Sequence, residues 1–133
     1  MRFMKLSVII PAYNEQNTIA QVIKRVLKNK LVSEIVIVND GSTDKTGPRI
    51  YDLRCKKLKI INKKINEGKG AAIRDALKKV TGDIIIIQDA DLEYDPKEYS
   101  VLIKPILDKK ADVVYGSRFV GGSAHRVLYF WHM

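Results

Sequence analysis

The chain has 133 residues, 46% of them hydrophobic, enough for one buried core and too few for two ordinary domains. Its 24 Lys and Arg outnumber 15 Asp and Glu, and the net charge of +9 favours polyanionic partners such as nucleotide phosphates or an anionic membrane surface. No apolar run approaches the ~20 residues of a membrane span, the lone Cys55 excludes an internal disulfide, and no aromatic RNA-binding signature or arginine-rich arm points to nucleic acid.

The N-terminal MRFMKLSVII runs straight into strand-like sequence without a small-residue cleavage site, so a cytoplasmic protein is expected. Residues 7–10 are an apolar run closed by Pro11, and PAYNEQNT after it is turn and cap chemistry. Ile19, Val22, Ile23, Val26 and Leu27 then follow the i, i+3, i+4, i+7, i+8 spacing of one helix face, which predicts a helix ending near Lys30. Residues 35–38 are β-branched throughout and lead into NDGSTD, where Gly41 permits a tight turn and Ser42 or Thr43 can cap the next helix. That helix is predicted to be short, with Pro48 in its first turn and an end near Arg54. Residues 58–61 predict a third strand, and NKKINEGKG opens a helix with Ile73, Ala76, Leu77 and Val80 on one face, stopped by Gly82.

The stretch GDIIIIQDADLE organises the rest. Four consecutive Ile after a Gly-Asp turn read as a strand buried on both faces, which belongs inside a parallel sheet covered by helices. The strand ends in acid: in an extended chain Asp89 and Asp91 point to the same side, and Glu93 continues the series. Such carboxylates suit a hard cation, Mg2+ or Mn2+, that would hold a ligand's phosphates; a polar loop of solvated acids is the competing reading. Next, Asp95-Pro96-Lys97-Glu98 has the composition of a capping box, with Tyr99, Leu102, Ile103 and Ile106 on the buried face of the helix it opens. Pro105 predicts a kink there, and residues 112–115 predict a fifth strand.

Strand and helix alternate throughout, so right-handed crossovers should build an α/β domain: an open, mostly parallel, Rossmann-like sheet with helices on both faces. Ligands bind such sheets beyond the carboxyl ends of the strands. The junctions PAYNE, NDGSTD and QDADLE each follow a strand and therefore converge on one rim.

Five segments in order, VIIPAYNE, VNDGSTD, NEGKGAAI, DADL and GSRF, resemble the family 2 glycosyltransferases of the GT-A fold. Within that family the chain looks most similar to the polyprenyl-phosphate sugar transferases, the group that includes dolichol-phosphate mannose synthases. The resemblance implies transfer of a sugar from a UDP- or GDP-sugar, with inversion, to an acceptor such as a polyprenyl phosphate at a membrane surface. It implies that Pro11, Ala12, Tyr13 and Glu15 line the nucleoside pocket and that Asp40 holds the base or ribose. Asp89 and Asp91 match the family's metal-binding acids, Glu93 stands where some relatives place another ligand, and Arg118 matches an arginine that meets the donor phosphates. Gly68 and Gly70 would let backbone approach the nucleotide, with Lys69 facing the diphosphate. A nucleotide-sugar binding module without turnover is the alternative function.

Family catalytic domains generally continue beyond the length of this chain. Residues 1–133 therefore read as one catalytic domain, either lacking its C-terminal part or unusually short, and the VLYFW end as an exposed segment to be covered by a partner, a membrane surface or a second copy. His125 and Arg126, just before it, are not assigned as a base.

Overall fold

The computed structural model describes residues 4–92, 95–116 and 128–132. The elements run β1 (Leu6–Ala12), α1 (Ile19–Leu27), β2 (Val32–Asp40), α2 (Thr46–Tyr51), β3 (Leu58–Lys63), α3 (Lys69–Leu77), β4 (Ile84–Ile87), a 3-10 turn (Pro96–Glu98), α4 (Tyr99–Leu107), β5 (Val113–Gly116) and β6 (Leu128–His132). They form one sheet of order β3-β2-β1-β4-β6-β5. β1 pairs in parallel with β2 and β4, and β2 with β3, whereas β6 runs antiparallel between β4 and β5. The expected mostly parallel α/β sheet is thus present, with one strand more than the sequence reading allowed.

The alternation of side chains along the strands explains why the apolar runs are continuous. Val8, Ile10, Ile35, Ile37, Ile84 and Ile86 face one side, where α1 contributes Ile19, Val22, Ile23 and Val26 and α4 contributes Tyr99, Ile103 and Ile106. Ile9, Val36, Val38, Ile85 and Ile87 face the other side, against Ala72 and Ala76 of α3. A strand buried on both faces is apolar along its central run, and burial of each Ile is worth roughly 1.5–3 kcal/mol. The two alanines on α3 let that helix lie close to the sheet.

Several boundaries differ from expectation. α1 stops at Leu27, about a turn before Lys30, and α2 stops at Tyr51, before Arg54. α3 ends at Leu77 with Lys78 as its C-cap, so Gly82 is not its terminator. Gly82 is needed for close approach to β1: its N–H donates to Ser7 Oγ at 2.9 Å, and a Cβ there would stand 2.3 Å from that oxygen. Asp95 does act as a cap, accepting from the Lys97 N–H at 2.9 Å, but the first turn is 3-10 rather than α. α4 continues through Pro105 for two more residues, and the Pro105 carbonyl accepts from the N–H groups of Lys110 and Ala111.

The VLYFW segment is also reassigned. From Leu128 onward its backbone is a strand, with Ile85 opposite Trp131 and Val114 opposite Phe130. β-Branched and aromatic residues favour this pleated, paired environment. The parallel register places Ala12 beside Asn39 and Ile9 beside Ile87, so the carboxyl ends of β1, β2 and β4 share one rim.

Candidate functional site

Four loops, following β1, β2, β3 and β4, meet at that rim, and side chains of the second hold the first. Asn14, which takes up a left-handed φ of 51°, donates its N–H to Ser42 Oγ at 3.0 Å, and its side-chain oxygen accepts from the Thr43 N–H at 2.8 Å. The Glu15 N–H donates to Thr46 Oγ1 at 2.9 Å, and the Gln16 N–H to Asp44 Oδ2 at 3.3 Å. Gln16 returns the contact by accepting from the Lys45 N–H at 3.1 Å. Ser42 and Thr43, expected to cap α2, therefore bridge to PAYNEQ instead. Asp44 accepts from both the hydroxyl and the N–H of Thr46, at 2.5 and 2.9 Å. Burial alone would raise the Asp44 pKa, but the Thr46 and Gln16 hydrogen bonds outweigh it and hold the carboxyl below the usual range.

The third loop is tied to the second through Asp40, which is 3% exposed. Its two oxygens accept from the backbone N–H groups of Glu67 at 3.1 Å and Gly68 at 3.0 Å. Gly41 follows with φ 71°, and a Cβ on it would stand 2.4 Å from the Asn66 nitrogen. Only glycine permits both this backbone conformation and this approach. Asp40 thus anchors NEGKG at the same rim, a contact that the expectation of base or ribose recognition did not include.

The acidic loop is held from two sides. Thr18 Oγ1 donates to the Ala90 carbonyl at 2.7 Å, and the buried Tyr99 hydroxyl donates to Gln88 Oε1 at 2.5 Å. Burial, with the Asp95 charge nearby, pushes the Tyr99 phenol well above its ordinary pKa, so it remains a neutral donor. Ala90 is buried between Asp89 and Asp91, which are partly exposed.

Pro11, Ala12, Tyr13, Glu15, Asp40, Gly68, Lys69, Asp89 and Asp91 all line one cavity of about 390 Å3, together with Asn66 and Ala90. Nine residues chosen from sequence thus come together, drawn from four separate stretches of the chain. Gly70 is not among the lining residues. Glu93 and Arg118, the other two expected site residues, lie outside the described residues, as do His125 and Arg126. A larger concavity of about 750 Å3, lined by Arg25, Lys28, Asn29, Leu92, Asp95, Pro96 and Lys97, contains none of the expected residues.

Lys69 Nζ sits 2.5 Å from Asp89 Oδ1, so a carboxylate expected to bind a cation already faces one. Among the described residues no three His, Cys, Asp or Glu side chains form a metal cage. A hard cation such as Mg2+ retains waters and takes one or two carboxylates along with ligand phosphates. Asp89 and Asp91 provide that number of carboxylates on the cavity wall. The positioning residues Asn14, Gln16, Thr18, Asp44, Thr46, Gln88 and Tyr99 were not picked out as site residues. The clustering of Asn, Ser, Thr and Asp in two loops sharing a rim was the available signal.

Comparison with known proteins bears on the family and the fold. The model for "Glycosyl transferase family 2" matches residues 7–129. The dolichol-phosphate mannosyltransferase of Pyrococcus furiosus is 35% identical over 122 residues, covering 90% of this chain and 34% of that protein. Glucosyl-3-phosphoglycerate synthase from Mycobacterium tuberculosis, solved with Mn2+, UDP and glucosyl-3-phosphoglycerate, gives a TM-score of 0.66 at 29% identity, over 78% of this chain and 40% of that one. The mannosyltransferase PcManGT from Pyrobaculum calidifontis, solved with GDP-Man and Mn2+, gives a TM-score of 0.77 at 21% identity, over 96% of this chain and 44% of that one, a likeness of fold. The chain spans about a third of the length of the curated relative and about two fifths of each solved chain. Its α/β sheet is the GT-A fold, and with the family model matched from Ser7 to residue 129, the chain belongs to glycosyl transferase family 2.

Proposed function

We propose that this chain carries the donor site of a metal-dependent, inverting glycosyltransferase that uses a UDP- or GDP-sugar. The observation that carries the proposal is the 390 Å3 cavity, whose wall combines Asp89 and Asp91 with Pro11, Ala12, Tyr13, Glu15 and Asp40. Tyr13, 45% exposed, offers an aromatic face to a nucleoside, and Pro11 and Ala12 provide the apolar wall beside it. Asp89 and Asp91 would hold Mg2+ or Mn2+, with Glu93 as a further ligand; the ion would supply Lewis-acid charge for the departing diphosphate. Related structures solved with Mn2+ and UDP support this assignment.

The chain's own residues do the remaining work. The Asn14–Ser42–Thr43 and Glu15–Thr46 hydrogen bonds fix the nucleoside wall before a ligand arrives, so little ordering is left to the binding step. Asp40 keeps Gly68 and Lys69 at the cavity by gripping the Glu67 and Gly68 N–H groups. Arg118 is proposed to meet the donor phosphates where negative charge develops.

The proposed acceptor is a polyprenyl phosphate, as the name of the Pyrococcus furiosus relative suggests. A phosphate monoester has a second pKa of about 6 and is mostly a dianion at neutral pH, so it needs no base from the protein. A hydroxyl acceptor would require one. The acceptor phosphate is proposed to be met at a membrane surface, where the chain's net charge of +9 favours anionic headgroups.

The test is turnover and binding across a panel of UDP- and GDP-sugars, with Mn2+ or with chelator, and with polyprenyl phosphate or free sugars as acceptor. Metal-dependent transfer to the phosphate supports the proposal. Nucleotide binding without hydrolysis or transfer would favour a binding module, equal affinity with chelator would remove the metal, and transfer to hydroxyls alone would remove the polyprenyl phosphate.

A further inference from the structure

The donor cavity has a charge problem. Glu15, Asp40, Asp89 and Asp91 line it, against Lys69 as the one cation among its described lining residues. A site with this balance repels a diphosphate until positive charge is added. Lys69 is also oddly placed for an ordinary surface lysine. It is the first residue of α3, following Gly68 at φ 96°, where the helix dipole disfavours a cation. What compensates is a carboxylate 20 residues further along the chain: Lys69 Nζ lies 2.5 Å from Asp89 Oδ1, with the Lys69 side chain 57% exposed and that of Asp89 17%.

The exposure of the two partners differs in a useful way. Asp89 is held on the strand end between the Thr18–Ala90 and Tyr99–Gln88 contacts, so it stays. Lys69 is a point charge on a flexible stem in open solvent, so it can leave at small cost. A divalent ion held by Asp89 would compete with the ammonium for that carboxylate, because two cations side by side on it repel.

Resting on the donor-site reading, we propose that Lys69 is the resident counter-cation of Asp89 in the empty site, and that the arriving divalent ion displaces its ammonium onto the diphosphate of the nucleotide. One residue then serves two stages. It neutralises Asp89 before metal arrives and adds positive charge to the leaving diphosphate afterwards. This makes metal and lysine competitors at Asp89 in the absence of nucleotide and partners in its presence.

The two roles predict effects of opposite sign for Lys69→Met. Binding of Mn2+ alone, read by the paramagnetic resonance signal of the free ion, should tighten about two- to fivefold, the worth of an exposed ion pair removed as competitor. Binding of UDP or GDP in the presence of Mn2+ should weaken by a similar factor. In the unaltered 133-residue chain, trace acetylation read by mass spectrometry reports the ammonium directly. Lys69 labelling should rise with Mn2+ alone and fall again when UDP or GDP is added. If K69M binds Mn2+ no more tightly than the unaltered chain, or if Lys69 labelling ignores a bound Mn2+, the displacement is overturned while the donor site stands. If Mn2+ binds neither protein, with or without nucleotide, the metal reading falls with it.

Discussion

Glu34 offers a quantitative test of how the sheet tolerates a buried charge. It is 6% exposed, and its carboxylate accepts from Ser7 Oγ at 2.6 Å, pairs with Lys59 Nζ at 2.7 Å and accepts from the Thr81 N–H. Burial by itself would raise its pKa, but the bonds from Lys59, Ser7 and Thr81 outweigh that and lower it from 4.5 to about 2. At about 1.4 kcal/mol per pH unit this corresponds to roughly 3 kcal/mol of folding stability at neutral pH, or nearer 2 kcal/mol after allowing for the solvent-exposed Lys59. Because the folded-state pKa is depressed, that stability is fully present above 4.5 and is lost as pH falls through 2. Glu34→Gln keeps the shape and one acceptor but removes the charge. Urea unfolding of both proteins at a series of pH values from 7 to 3 should show a gap of about 2–3 kcal/mol at pH 7 that narrows below 4.5. The difference between the proteins isolates Glu34 from other acids, such as Asp44 and Asp75, whose pKa values are also lowered. A gap that stays constant down to pH 3 would refute the reasoning.

Asp91→Asn should weaken binding of Mn2+ with UDP or GDP by about tenfold or more, around 1.4 kcal/mol, yet leave the melting temperature nearly unchanged. Its carboxylate lines the cavity beyond β4, and a melting loss that matched the binding loss would make it a structural acid. Gly41→Ala should destabilise more than Gly68→Ala. Both have positive φ and incur about 1–2 kcal/mol of strain, but only at Gly41 does the new Cβ strike backbone, at 2.4 Å from the Asn66 nitrogen. Equal thermal shifts would contradict this. Thr46→Val should cost about 1–3 kcal/mol, because it leaves the Glu15 N–H without its acceptor, and should also weaken nucleotide binding by loosening PAYNE. Calorimetric binding indistinguishable from that of the unaltered protein would show that Thr46 does not position the wall.

The sequence alone determined the α/β class, β1 to β5 and α1 to α4, and the rim on which the site lies. Those features depend on local chemistry: a run such as Ile84–Ile87 has one stable environment, and turn residues after a strand mark its carboxyl end. The match between expected and observed cavity residues has the same origin together with the family pattern, which names residue types in order. Tertiary structure decided matters that no local pattern encodes. The aromatic stretch Leu128–His132 has no local partner in sequence, and only the space between β4 and β5 makes it a strand. The PAYNE–DGSTD bonds join residues 28 to 31 apart, and the Lys69–Asp89 pair joins residues 20 apart. Side chains of Ser, Thr, Asn, Lys and Asp can each satisfy local caps, solvent or distant loops at similar cost. Which partner wins depends on the strand register that brings the loops to one rim, and that register is a property of the assembled sheet.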